Sequence, residues 1–293
     1  MEKALRSKRA ICFFILPALI WFLAIVLVPV LQSTYYSFLE WDGFTQAKWV
    51  GLANYKEMFQ NDLFWLAVGN TLVLAAGSVF IQLPLAMILA LVLSSGVRGE
   101  RFYRTVYFVP VLVSSTVISQ LWIKVYHPRY GMLNTLLDML HLEQFKHEWL
   151  ADTSTALMAV LIPMVWQYIG YHMLLFYSAA KSVSPDIIEA AKVDGANKVQ
   201  TAVRVVMPQI IPMIRASTIF AIIGSLKSFD LVYILTNGGP LHVTEVPTLQ
   251  MYTDIFSNRD YGSASSIAVF LIIECLLLTL LVQKLFSKVE KKF

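Results

Sequence analysis

The chain has 293 residues, 57% of them hydrophobic and only 14% charged, where a soluble domain carries about 25% charged residues. That apolar surplus excludes burial in one water-soluble core and makes lipid the expected solvent. The net charge of +4 is small and unevenly distributed, so it does not argue for nucleic-acid binding.

About 20 apolar residues cross a bilayer as a helix, and the pattern predicts an all-α polytopic membrane protein with six transmembrane helices. The spans are expected at 10–31, 66–93, 106–122, 156–180, 211–235 and 263–286, in a single domain covering 1–293. Lys3, Arg6, Lys8 and Arg9 before the first span resemble the start of a signal peptide. The apolar stretch exceeds the usual length of about 7–15 residues and no small-x-small cleavage pattern follows closely, so a retained anchor helix is expected. Proline falls inside or at the ends of several spans (Pro17, Pro84, Pro110, Pro163, Pro212), which helix bundles in lipid tolerate. With the N-terminus inside, sixteen Lys and Arg lie on inner segments and seven on outer ones. The positive-inside rule then puts both termini in the cytoplasm.

The first outer loop, 32–65, carries Trp41, Trp49, Trp65, Tyr35 and Tyr36, side chains suited to the headgroup level. The third outer loop opens on Asn237-Gly238-Gly239-Pro240, a strong breaker. Between spans four and five the inner connection, 181–210, reads as two short helices. Ser184 is the expected N-cap with Pro185 and Asp186 behind it, Gly195 permits a turn, and a second stretch from 197 stops at Pro208. Cys12 and Cys275 lie singly within spans and imply neither a disulfide nor a metal site. His127, His141, His147, His172 and His242 show no metal-ligand spacing, and the Gly-x-x-x-x-Gly-Lys-Ser/Thr phosphate loop is absent.

The block Glu189-Ala190-Ala191-Lys192-Val193-Asp194-Gly195-Ala196, with Pro208 and Pro212 downstream, resembles the EAA loop of binding-protein-dependent ABC importer permeases. Val50-Gly51-Leu52-Ala53-Asn54-Tyr55, Asn70-Thr71-Leu72, Phe102-Tyr103-Arg104-Thr105 with Pro110, Gly131-Met132-Leu133-Asn134, and Phe229-Asp230 leading to Thr236-Asn237-Gly238-Gly239-Pro240 and Thr244 are similar to the carbohydrate-type, maltose and glycerol-phosphate permease-like members. The chain departs from the pattern at Ile188, Val199, Ala202 and Met207.

The resemblance implies a membrane-spanning subunit of a prokaryotic inner-membrane importer, not itself an enzyme, that translocates an oligosaccharide. Its partners would be a second permease, two cytoplasmic ATPase subunits and an extracellular sugar-binding protein. ATP and Mg would be bound by the ATPases, leaving this chain without a cofactor. Glu189, Ala190, Ala191, Asp194 and Gly195 would form the ATPase-coupling surface, small alanines allowing close approach. Gln167, Tyr168 and Tyr171 in span four, with Ser225 and Ser228 in span five, are candidates to line the sugar pathway; interhelical packing is the alternative role for the same side chains.

Ionisable groups inside a membrane are costly, so Lys227 and Glu274 need partners. Lys227 and Asp230, three apart, are placed to pair on one helix face, and Glu274 either pairs with Lys227 or faces a polar cavity. Competing functions are a glycerol-phosphate-type permease, for which Lys227 would meet the anion, and an ion-coupled secondary sugar transporter.

Overall fold

The computed structural model describes residues 8–290, with side chains from 13 to 288. The side chains of Lys3, Arg6, Lys8, Arg9, Cys12, Lys291 and Lys292 lie outside that range.

The first helix, α1 (Phe13–Tyr36), is apolar throughout and none of its most apolar window is buried. Phe13, Phe14, Trp21 and Phe22 are all exposed, a surface stable only against lipid or another protein. A two-stranded antiparallel ribbon follows, β1 (Leu39–Glu40) and β2 (Lys48–Trp49), with Leu39 opposite Trp49. Next come the short α2 (Ala53–Gln60) and the long α3 (Asp62–Ser94). The expected third span is two helices, α4 (Glu100–Leu112) and α5 (Ser115–Val125), whose axes differ by 98°. After α6 (Met132–Met139), α7 (Ala156–Lys181) runs unbroken. The inner connection holds α8 (Pro185–Val193) and α9 (Lys198–Gln209), and α9 meets α10 (Ile211–Leu226) at 74°. Then come α11 (Asp230–Leu235), α12 (Pro247–Thr253) and α13 (Tyr261–Glu290). Four of these helices are long and apolar enough to cross a membrane, or six if each bent pair is one span.

Two of the predicted spans are interrupted helices. The third breaks because Val113 is extended (φ −86°, ψ 138°) and Ser114 starts a new helix by accepting the Val117 amide on its hydroxyl at 3.4 Å. The fifth stops at Leu226, nine residues short of its expected end at 235. Lys227 closes α10, Phe229 is irregular (φ −136°, ψ −62°), and the carbonyl of Ser228 is met by the Thr248 hydroxyl at 2.5 Å. The break removes the helical face on which Lys227 and Asp230 were expected to pair.

The prolines sit in a recurrent setting. π-helical turns at Leu23–Leu27, Ser78–Gln82 and Thr201–Val206 each end two residues before a proline, namely Pro29, Pro84 and Pro208. Proline lacks an N–H and crowds the carbonyl four residues back. A widened turn moves that carbonyl aside. This is why α9 passes through Pro208 to Gln209 instead of stopping there.

The chain forms two compact units, one from the residues up to Asn61 with Gln250–Phe270, the other from Asp62–Leu249 with the residues from Leu271 onward. In the first, Asn54 donates to the carbonyls of Ser37 and Leu39, both at 2.9 Å, and Tyr55 meets Ser37 at 2.7 Å. Gly51 turns with φ +62°. The Gly51–Tyr55 motif therefore braces the ribbon. In the second unit α7 is central. Val160, Leu161 and Met164 pack with Leu74, Val232 and Val246, while Met173 and Phe176 pack with Ala86, Ala90 and Leu93. The other motifs are also braces. Asn70 donates to the Glu245 carbonyl at 2.8 Å, and Thr236 and Thr244 share a hydrogen bond at 2.7 Å. Asn134 bonds the Pro128 and His147 carbonyls and accepts from the Trp149 indole at 2.8 Å.

Candidate functional site

The segment from Glu189 to Gln200 is an elbow built from two caps placed back to back. Helix α8 starts at Pro185, as its fixed φ favours; Ser184 occupies the N-cap position, but its hydroxyl caps no amide. At the other end the amides of Gly195 and Ala196 donate to the carbonyls of Lys192 and Ala191, at 3.0 and 2.9 Å, with Gly195 left-handed at φ +83°. This is the two-bond Schellman closure. One residue later Asn197 opens α9 with a capping box: its Oδ1 accepts the Gln200 amide and the Gln200 Oε1 accepts the Asn197 amide, both at 2.9 Å. Asn197-x-x-Gln200 is the signal that sequence reasoning passed over.

Glu189, Ala190, Asp194 and Gly195 are exposed and Ala191 is half-buried. Around them Ile187, Val193, Val199 and Val203 also face outward, Val193 at 87% exposure. Small, acidic and apolar side chains are thus all exposed on the elbow. No atom of the chain lies within 4 Å of the Cβ position of Gly195, so within this chain the glycine is required by its backbone angle and not by close packing.

The second site is a cavity of about 370 Å³ in the same unit. Tyr168 and Tyr171 reach it from α7, Ser225 from α10, and Ser228 from the break after α10. Ser78 and Gln82 enter on the π turn of α3, and Ser115 at the start of α5. Phe220 and Phe229 supply apolar faces, and Lys227 and Asp230 bring one charge of each sign. The Ser225 hydroxyl lies 2.9 Å from both the Ser78 hydroxyl and the Ala221 carbonyl. By contrast, the Ser228 hydroxyl and His172 Nδ1 are buried without a partner. Buried polar groups are normally satisfied, so these two atoms are exceptions beside the cavity. Gln82 and His172, both almost fully buried, were not foreseen as lining residues.

Gln167 is not brought to this cavity. It is 2% exposed, and its Nε2 donates to the Val113 carbonyl at 3.3 Å. Among the described residues no salt bridge joins Lys227 to Asp230 or to Glu274, and Glu274 Oε2 is buried without a hydrogen-bond partner. No group of three or more His, Cys, Asp or Glu among the described residues is placed to hold a metal.

Residues 82–291 match the family model described as binding-protein-dependent transport system inner membrane component. The chain is 35% identical over 277 residues to the probable ABC transporter permease protein YurN of Bacillus subtilis, covering 94% of each. It is 32% identical to the diacetylchitobiose uptake system permease protein NgcF of Streptomyces coelicolor, over 85% of this chain and 74% of that one. Its fold superposes on a chain of a bacterial ABC transporter involved in import of the acidic polysaccharide alginate, with a TM-score of 0.82, 22% identity and 98% of both chains covered. A helical chain of broken and unbroken apolar spans, aligned with this family over most of its length, is a member of it: the protein belongs to the binding-protein-dependent transport system inner membrane components.

Proposed function

We propose that this subunit forms, with a second permease, the translocation pathway for a neutral oligosaccharide, driven by two ATPase subunits docked on the α8–α9 elbow. An extracellular binding protein delivers the sugar. ATP and Mg bind to the ATPases and not to this chain, which lacks a phosphate loop. In this reading each bent pair is one span, six in all, with both termini cytoplasmic and the elbow on the ATPase side; the excess of Lys and Arg on the inner segments supports that orientation. The observation that carries the reading is the cavity, where two tyrosines, two phenylalanines, Ser225, Ser228 and His172 line one space. Sugars need hydrogen-bonding groups and aromatic faces together. Lys227 and Asp230 balance each other in charge, which disfavours an anion such as glycerol phosphate. The name of the diacetylchitobiose relative supports an oligosaccharide.

The test is uptake by proteoliposomes holding both permeases and the ATPases, supplied with binding protein and labelled oligosaccharides. ATP-dependent accumulation of a neutral oligosaccharide, lost in Gly195→Pro, is expected. Accumulation driven by an ion gradient without the ATPases would overturn the reading.

A further inference from the structure

Helices α4 and α7 are antiparallel and tied at three heights. At the end of α7 nearest the elbow, the Tyr177 hydroxyl donates to the Glu100 carboxylate. There Lys181 Nζ is 3.6 Å from the same carboxylate, and the Arg104 guanidinium lies 4.7 Å from the centre of the Tyr177 ring. In the middle, Gly170 lets the two backbones touch; a Cβ there would collide with the Tyr107 carbonyl. At the far end stands the hydrogen bond from Gln167 to Val113.

Val113 is the residue at which the helix breaks, and its carbonyl is deprived by that break. In a continuous helix it would accept the Val117 amide, which is instead taken by the Ser114 hydroxyl. No backbone amide among the described residues replaces it. Gln167 Nε2 is the side-chain donor that satisfies this otherwise orphaned carbonyl. On the near side of the break, α4 is bound to α7. On the other side Ser115, two residues past Val113, is in the cavity wall. The remaining amide atom, Gln167 Oε1, is buried without a hydrogen-bond partner.

We propose that Gln167 is a positioning residue that pins a hinge at Val113–Ser114, and not a contact for the sugar. Displacement of the elbow passes through Lys181 into α7, and the ties carry α4 along with it. The motion is released at the pinned break as a swing of α5, which opens or closes the cavity at Ser115. Two arrangements of a packed element, biased from a distant site, are what coupling between sites requires. The proposal rests on reading the elbow as the ATPase contact.

The test replaces Cys12 and Cys275 by Ser, attaches spin labels at the exposed Phe102 on α4 and Val117 on α5, and compares wild type with Gln167→Met. Methionine keeps the length and removes the donor. In the purified chain the distance distribution across the break is expected to broaden; an unchanged distribution overturns the hinge, whatever the transport assay gives. In proteoliposomes, sugar taken up per ATP hydrolysed is expected to fall about tenfold, the value of one buried hydrogen bond, with half-saturation by the sugar-loaded binding protein unmoved. Raised half-saturation at full coupling would instead return Gln167 to the sugar pathway. Gln167→Glu adds a discriminating arm: coupling recovers as pH falls and the carboxyl regains a proton to donate, whereas a residue that only fills space shows no such profile. Absence of ATP-driven uptake in wild type would count against the transport reading and leave the distance result standing.

Discussion

The amide of Ala196 reaches back five residues to the carbonyl of Ala191, and that bond turns a loop into a rigid corner. Gly195, inside the closure at φ +83°, has the backbone that L side chains avoid.

Gly195→Ala is therefore expected to cost about 1–2 kcal/mol locally and to weaken ATPase association modestly. Gly195→Pro, whose ring fixes φ near −65°, cannot close the corner and should abolish co-purification with the ATPase. Asn197→Ala removes the adjoining cap, worth about 1 kcal/mol, and should speed hydrogen exchange in α9 while leaving α8 protected.

In the cavity, Tyr171→Phe and Ser228→Ala delete hydroxyls while keeping shape. Each is expected to lower uptake up to about tenfold with little effect on ATPase co-purification. A fall in both measurements together would assign these residues to packing.

Gly170→Ala places a methyl group against the Tyr107 carbonyl. Overpacking of this kind costs roughly 1–3 kcal/mol, and backbone contact leaves little room for relief. A lower thermal midpoint of the purified chain is expected, with α4 the first segment to lose exchange protection.

Asp42 accepts from the amides of Thr45 and Phe44 and from the Thr45 hydroxyl, at 2.7, 3.0 and 2.8 Å. These bonds, the Thr45 amide foremost, hold its pKa at about 2 against an ordinary 3.8. A depressed carboxylate stabilises the fold above its unfolded pKa and loses that contribution as pH falls. The turn at 42–45 should keep its exchange protection above pH 3.8 and lose it toward about 2. Asp42→Asn should remove the pH dependence.

Much of the elbow was legible because it is local: a proline, a run of helix formers and a glycine are read from neighbours in sequence. Four of the five residues expected in the pathway, Tyr168, Tyr171, Ser225 and Ser228, meet in one cavity. Gln167 does not, because its environment depends on Val113, 54 residues away, and no periodicity encodes that. The two breaks were missed for a related reason. Hydropathy does not distinguish a continuous apolar helix from two whose freed groups are satisfied by Ser114 and Thr248. Nor does it tell Lys227 and Asp230 on one face from Lys227 and Asp230 on either side of a gap.

The π turn at Ser78–Gln82 has a consequence for the phase of α3. A π turn holds one residue more than an α turn, so the segment after it is rotated by about 100° relative to an uninterrupted helix. Ser78 and Gln82, which line the cavity, sit at this splice, and the two α-helical halves keep independent azimuths. Removing one residue here would restore an ordinary α-helix and swing the Leu83–Ser94 half to a new face, taking Ala86 and Ala90 away from Met173 and Phe176. The register of α3 is thus set by residue number as much as by residue type, and a single-codon deletion would be more disruptive here than most substitutions.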